Sequence, residues 1–241
     1  MALIQLLILQ FVAHLLADFS FQTEEKAKDK NKLGFKSKFL KWHFLFAFLF
    51  SWILSFQVNF FAGALSIAVL HYIIDGFKYK LNNNHKFGKY SFFIDQILHL
   101  LIITAVVLIY HKFYGIKFLV NIPNIKYLVI FTAYLFCIKP ANILIKEIFR
   151  AFEIKILDQK ITEKSELPNA GKLIGIVERW LVLTFIIINQ FQAVGFLIAA
   201  KSILRFRESE TSKTEYVLIG TMLSFGIAIF LGILINFGVG K

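Results

Sequence analysis

Three stretches of this chain each set a histidine and an aspartate four residues apart inside an apolar run. "LLILQFVAHLLADFSFQ" carries His14 and Asp18, "VLHYIIDGFK" carries His71 and Asp75, and "FFIDQILHLL" carries Asp95 and His99. Residues at that spacing share one face of a helix, one turn apart. Helical imidazoles and acids so spaced can grip a zinc ion, as in the H-E-x-x-H pattern. A fourth imidazole, His43, stands in "KWHFLF". Ionisable groups inside a membrane-spanning helix cost a few kcal/mol each, so they are expected to face a partner, a cavity or a metal.

The elements that must position these residues follow from composition. With 58% hydrophobic residues, 29 Phe and only 3 Pro in 241 residues, the chain has more apolar surface than one soluble core of its size can hide. It reads as an all-α, polytopic membrane helix bundle. Apolar stretches near 20 residues, long enough to cross about 30 Å of hydrocarbon, recur along its length. The first is expected to be a retained span, because a signal peptide would not carry His and Asp in its apolar region. The one cysteine, Cys137, lies in an apolar run, which leaves no disulfide framework and no Cys-ligated zinc site.

Lys and Arg mark the cytoplasmic side of a membrane protein. Four segments hold 21 of the 27: "TEEKAKDKNKLGFKSKFLK", "KYKLNNNHKFGKY", "KEIFRAFEIKILDQKITEKSELPNAGK" and "KSILRFRESETSKTEY". Placing all four inside gives eight alternating spans, at 3–22, 42–57, 60–79, 92–110, 126–146, 173–190, 192–206 and 216–237, with both termini outside. The second and seventh spans are short enough to be re-entrant, and Pro140 is expected to kink the fifth. This topology accounts for the net charge of +12, and no motif supports nucleic-acid binding. It also explains the order of the paired residues. The first and third spans run inward and read His then Asp, whereas the fourth runs outward and reads Asp then His, so like groups fall at like depth.

The resulting layer of His14, His43, His71 and His99 with Asp18, Asp75 and Asp95 is read as a metal site. This donor mixture suits zinc first, with manganese or iron as alternatives, better than magnesium or calcium. Seven candidates exceed one tetrahedral ion, so two ions, or one ion with carboxylates orienting its histidines, would use them. Asp75, Asp95 and Lys78 are the candidate catalytic groups, and Gln22 and Gln96 lie within a turn of the ligands as candidate substrate contacts. A single pair could equally be a polar helix end reaching the headgroups; three pairs ordered by topology weigh against that. His85 and His111 are expected to be solvated.

Two four-helix units are expected, 1–115 with the His/Asp layer and 116–241 with a charged cluster at the cytoplasmic ends. In the latter, Glu178, Arg179, Lys201, Arg205 and Glu215 can neutralise one another, Glu178 with Lys201 or Arg205 and Glu215 with Arg179. Alternatively Arg179, Lys201 and Arg205 receive an anionic substrate group, since guanidinium matches phosphate oxygens.

The motifs "HLLADFSFQ", "WH", "HYIIDGFK" and "DQILH" resemble the domain-of-unknown-function family 3307, uncharacterised bacterial membrane proteins. "GKLIGIVERW", "AAKSILRF" and "EYVLIGTMLS" are similar to the C-terminal part of its longer members. The His/Asp spacing also resembles that of inner-membrane metal-dependent hydrolases. These likenesses imply a bacterial cytoplasmic (inner) membrane location. Three functions follow: a metal-dependent hydrolase acting at the cytoplasmic leaflet on a phosphoester-type or lipid-linked substrate; a non-enzymatic interaction or scaffold protein with a structural metal or polar network; or an ion transporter. The nearly apolar outer halves of the spans count against the last.

Overall fold

The computed structural model describes residues 1–154, 170–205 and 211–239, and among these every regular element is helical. They form α1 (Ala2–Leu15, continued by a π-helical turn, Leu16–Ser20), α2 (Glu24–Leu33), α3 (Lys38–Leu54), α4 (Phe61–Asn82) and α5 (Ser91–Tyr114). Then follow α6 (Ile125–Phe136), α7 (Lys139–Ala151), α8 (Ala170–Ile187), α9 (Phe191–Arg205) and α10 (Thr211–Val239).

Eight full spans are not supported. Four helical segments are long and apolar enough to cross a membrane: Ala2–Ser20, Val58–Asn82, Gly88–Tyr114 and Glu215–Gly238. A fifth exists if α6 and α7, bent by 52° at their junction, count as one. The expected boundaries fall near helices, but the helices are too short or too charged. Helix α3 has 17 residues and α9 has 15, or about 26 and 22 Å at 1.5 Å per residue, short of the hydrocarbon thickness. Helix α8 carries Lys172, Glu178 and Arg179 within its 18 residues. The kink expected at Pro140 lies at the α6–α7 break, with Pro140 in the first turn of α7, where its missing N–H removes no helical bond.

The chain divides into two compact units, Met1–Thr132 and Ala133–Lys241. In the first, α4 packs against α3 and α5, and α1 against α3 and α5. One end is apolar: Leu6, Phe60, Ala64, Ile67, Ile103, Val107 and Tyr110 are buried together. Toward the other end small residues take over, with Ala17, Ala47 and Ala68 buried at the contact of α1, α3 and α4. Small side chains let helix axes approach closely, and close axes let side chains as short as aspartate meet.

Helix α2 is polar and would not be stable alone. Thr23 caps it, accepting a hydrogen bond from the Lys26 N–H at 3.3 Å. Its C-terminal turn is pressed against α4. A Cβ on Gly34, whose φ is +54°, would stand 2.7 Å from the Gly76 carbonyl oxygen, and one on Gly76 would stand 2.1 Å from the Phe35 ring. Those two glycines let α2 dock on α4. In the second unit α10 packs along α8, with α7 and α9 beside them.

Candidate metal centre

The polar faces of α1, α3, α4 and α5 converge on one buried cluster. Asp18 reaches it from the π-helical turn, closed by the Phe21 N–H donating to the Leu16 carbonyl at 3.0 Å. Such wide turns recur at functional sites. Here the Asp18 Oδ1 lies 3.8 Å from His14 Nδ1 of its own helix but only 3.2 Å from His43 Nε2 and 3.1 Å from His71 Nε2. The two histidine Nε2 atoms are 2.9 Å apart. His43, His71 and Asp18 therefore present three donor atoms on a triangle of sides 2.9, 3.1 and 3.2 Å. In tetrahedral zinc sites with bonds of 2.0–2.1 Å the ligand atoms stand about 3.3 Å apart, so this triangle is close to one face of such a site. Asp75 Oδ2 adds a second triangle on the same His43–His71 edge, at 3.1 and 3.3 Å.

Around this core lie His14 and His99. The His71 and His99 rings stack at 3.9 Å between centroids, and His14 lies 5.3 Å from His99. His99 Nδ1 is 3.9 Å from both Asp18 Oδ2 and Asp95 Oδ2. Two further groupings have metal-ligand chemistry, His14–His71–His99 and Asp18–Asp95–His99. Gln96 ties the periphery together: its amide nitrogen donates to Asp95 Oδ2 at 3.1 Å and Asp18 Oδ2 at 3.4 Å, and its Oε1 faces His14 Nε2 at 3.1 Å. Two carboxylates on one side require the NH₂ to face them, so His14 carries its proton on Nε2 and turns the Nδ1 lone pair to the cluster.

The donor set fits a cation. At most one proton can lie between the facing Nε2 atoms, and ionised carboxylates only accept. Asp18 Oδ1, Asp75 Oδ1, Asp95 Oδ1, His14 Nδ1, His43 Nδ1 and both ring nitrogens of His99 are buried without a hydrogen-bond partner. Leaving a buried polar atom unsatisfied costs about 1–3 kcal/mol, so His14 Nδ1 and Asp18 Oδ1, 3.8 Å apart and both without a hydrogen-bond partner, call for a ligand.

Two lysines edge the cluster. Lys78 Nζ donates to Asp95 Oδ2 at 2.6 Å. Lys30, fully buried on α2, donates to Asp75 Oδ2 at 2.8 Å. Among the ionisable side chains of the cluster the most open are Lys78, 11% exposed, and Asp18, 8% exposed, so the cluster is approached from their side. Gln22 lies just past the π-helical turn, with its Oε1 buried and unpartnered.

The structure thus brings together His14, Asp18, His43, His71, Asp75, Asp95, His99, Lys78 and Gln96. His85 and His111 are exposed. In the second unit the expected anion-binding cations are engaged. Arg179 donates from Nε to the Cys137 carbonyl at 2.9 Å, from one terminal nitrogen to Ser224 Oγ at 2.9 Å and from the other to Asn142 Oδ1 at 2.7 Å. It does not pair with Glu215, which is exposed. Lys201 pairs with Glu178. Arg205 ends α9, and its side chain lies outside the described residues.

Three participants lie outside the expected set. Lys30 is one lysine of seven in its segment, and nothing local distinguishes it. Gln10 and Ser51 did leave a signal: Gln10 is four residues before His14, and Ser51 eight after His43, each continuing a ligand's helical stripe. They bond each other, Ser51 Oγ donating to Gln10 Oε1 at 2.5 Å and Gln10 Nε2 to the Ser51 carbonyl at 2.9 Å. Together with His14 and His71 they line a cavity of about 10 Å³.

A family model described as "Protein of unknown function (DUF3307)" matches residues 6–128, a span that holds the whole cluster. No curated protein and no solved structure matches the chain.

Proposed function

We propose that this chain, which belongs to the DUF3307 family, is a membrane-embedded metal-dependent hydrolase acting on a phosphoester, free or lipid-linked, at the cytoplasmic leaflet. The observation that carries the reading is the His43–His71–Asp18 triangle, with sides of 2.9–3.2 Å, set among buried, unpartnered ligand atoms. His43, His71 and Asp18 would hold one divalent ion, zinc first, with Asp75 on the same edge and His14 and His99 behind. Such an ion supplies Lewis acidity and lowers the pKa of a water it binds.

The residues of the chain do the rest. Substrate enters from the side of Lys78 and Asp18, where Gln22 and Gln96 contact its polar head. Asp95, held by Lys78 and Gln96 through Oδ2, keeps Oδ1 free to take the proton of the attacking water. As the water oxygen bonds to phosphorus, the ester P–O bond breaks. Asp95 returns the proton to the leaving oxygen, which departs as an alcohol, and Lys78 offsets the charge that builds on the phosphoryl oxygens.

Elemental analysis of protein purified without chelator tests this first. About one equivalent of transition metal per chain is expected, as for a mononuclear catalytic site, and His43→Ala combined with His71→Ala should abolish it. Asp95→Asn should then remove phosphoester hydrolysis more than it lowers thermal stability, and leave metal content nearly unchanged. A second reading, a closed polar network in an interaction protein, is favoured by the Lys30–Asp75 and Lys78–Asp95 pairs, which offset two of the three carboxylates. It requires metal-free protein in that first measurement.

A further inference from the structure

The charged groups facing the cluster come from every helix packed around it: Asp18 from the α1 extension, Asp75 and Lys78 from α4, Asp95 from α5 and Lys30 from α2. Helix α3 contributes the imidazole of His43. Three carboxylates and two ammonium groups leave a formal charge of −1 with neutral histidines, the form in which imidazole binds a metal. One divalent ion brings the sum to +1, and two would bring it to +3. Uncompensated charge away from water is costly, so the cluster is built for one ion and one singly charged anion. The geometry agrees with the arithmetic, since only the atoms of His43, His71, Asp18 and Asp75 approach within 3.3 Å of one another along the His43–His71 edge, whereas His99 Nδ1 stays 3.9 Å from its carboxylates.

From this charge balance we infer that the anion taken by the site is a phosphodiester, which carries one negative charge, in preference to a phosphomonoester. The inference rests on the hydrolase reading and narrows its substrate class. A phosphomonoester carries close to two charges above pH 7 and would overshoot neutrality; a diester closes the balance. The three carboxylates limit the anion to one charge, and Lys30 is the fixed cation that leaves room for that one. It is fully buried, it contacts Asp75 rather than the open side of the cluster, and it is held in place by the docking of α2 on α4 at Gly34 and Gly76. It therefore acts as a fixed charge and not as a mobile contact to substrate.

The test uses the full chain in detergent micelles, loaded with zinc at pH 8, with binding read by calorimetry and metal content by elemental analysis. Dimethyl phosphate should bind at least tenfold more tightly than methyl phosphate. Lys30→Gln lowers the charge of the loaded site by one, so it should weaken both esters, methyl phosphate more than dimethyl phosphate, and widen that ratio while one equivalent of metal remains, and Lys30→Arg should restore the parent ratio. Mixed micelles doped with phosphatidylglycerol, a diester, or phosphatidic acid, a monoester, tell a lipid headgroup from a soluble ester: a lipid source requires the diester lipid to bind more tightly than dimethyl phosphate. Tighter binding of methyl phosphate by zinc-loaded protein overturns the inference and leaves the hydrolase reading standing, as does a Lys30→Gln variant that keeps its metal and whose ratio is unchanged or narrower. Protein that takes up no zinc overturns both. The wild-type ratio decides the matter even if Lys30→Gln does not fold.

Discussion

Both units of this chain bury charge inside apolar helices, but they treat it oppositely. In the second, the Arg179 guanidinium is wrapped by the Cys137 carbonyl, Asn142 and Ser224, and Glu178 has Lys201. In the first, imidazoles and carboxylates face one another, and among the described residues every buried side-chain nitrogen or oxygen lacking a partner lies in this unit. Folding strongly favours pairing buried polar atoms. A unit that satisfies all of them uses its charges to hold its shape, and one that leaves them open keeps capacity for something that arrives later. Arg179 illustrates the first case. The break between α6 and α7 frees carbonyls that a continuous helix would use, and the guanidinium takes up those of Cys137 and Ile138.

Ligand binding should therefore stabilise the open cluster most. Zinc at about 1,000 times its dissociation constant should raise stability by about 4 kcal/mol, read as a rise in the thermal midpoint of chelator-treated protein. The rise should vanish in His43→Ala with His71→Ala. A rise that survives the double change would mean that the metal acts elsewhere and that the first unit is as closed as the second.

The next largest effect belongs to the second unit. Arg179→Met keeps volume but strips partners from the Cys137 carbonyl, Asn142 and Ser224, and should cost about 3 kcal/mol. Arg179→Lys should rescue little, because an ammonium cannot reproduce the planar fork. Metal content should stay at that of the parent. Loss of metal without loss of stability would give Arg179 a role in binding and erase the distinction between the units.

How far the sequence revealed this contrast depends on whether each signal was local. The three His/Asp pairs were legible because their spacing is set by a single helix and because polar residues stand out in apolar runs. Their convergence followed from the reversed order in the fourth expected span. Lys30 was hidden among seven lysines, since only the Gly34–Gly76 approach selects it. The π-helical turn that presents Asp18 to His43 and His71 has no signature in "LADFS". Arg179 looked like an anion clamp because its neutral partners come from α7, α10 and the α6–α7 break. The span count failed because hydropathy registers apolar stretches and does not measure helix length: α3 and α9 are apolar but short. The domain of unknown function is legible over the first unit, where the family model matches through residue 128.

A smaller effect should come from the residue that orients the outer ligands. Gln96→Leu removes the group that holds His14 in its Nε2–H tautomer and that bonds both Asp18 and Asp95. Loss of such an orienting partner typically lowers metal affinity by about 10- to 100-fold, which competition with a chelating dye would measure. Gln96→Glu should not rescue, because it replaces a donor between two carboxylates with a third acid. An unchanged affinity would exclude His14 from the site and shrink the open cluster to His43, His71, Asp18 and Asp75.

The smallest effect probes where the open cluster ends. Ser51→Ala removes the hydroxyl that donates to Gln10 Oε1, one turn beyond His14. In a sealed interior that orphaned oxygen would cost about 1–3 kcal/mol. Here the adjoining cavity of about 10 Å³, lined by Gln10, Ser51, His14 and His71, gains the space the hydroxyl leaves. A water needs roughly 10–15 Å³ and at least two polar partners, and Gln10 and the neighbouring histidines supply them. The cost should therefore fall to about 1 kcal/mol or less, with metal content unchanged. Replacing both partners, Gln10→Leu with Ser51→Ala, should cost less than the two single changes added together, since neither group is then left without its mate. Unfolding in detergent for the four species of this cycle gives the coupling directly. Additive costs would show that the two side chains do not rely on each other, and a loss of metal in Ser51→Ala alone would extend the site one turn deeper, making this pair part of the machinery and not its floor.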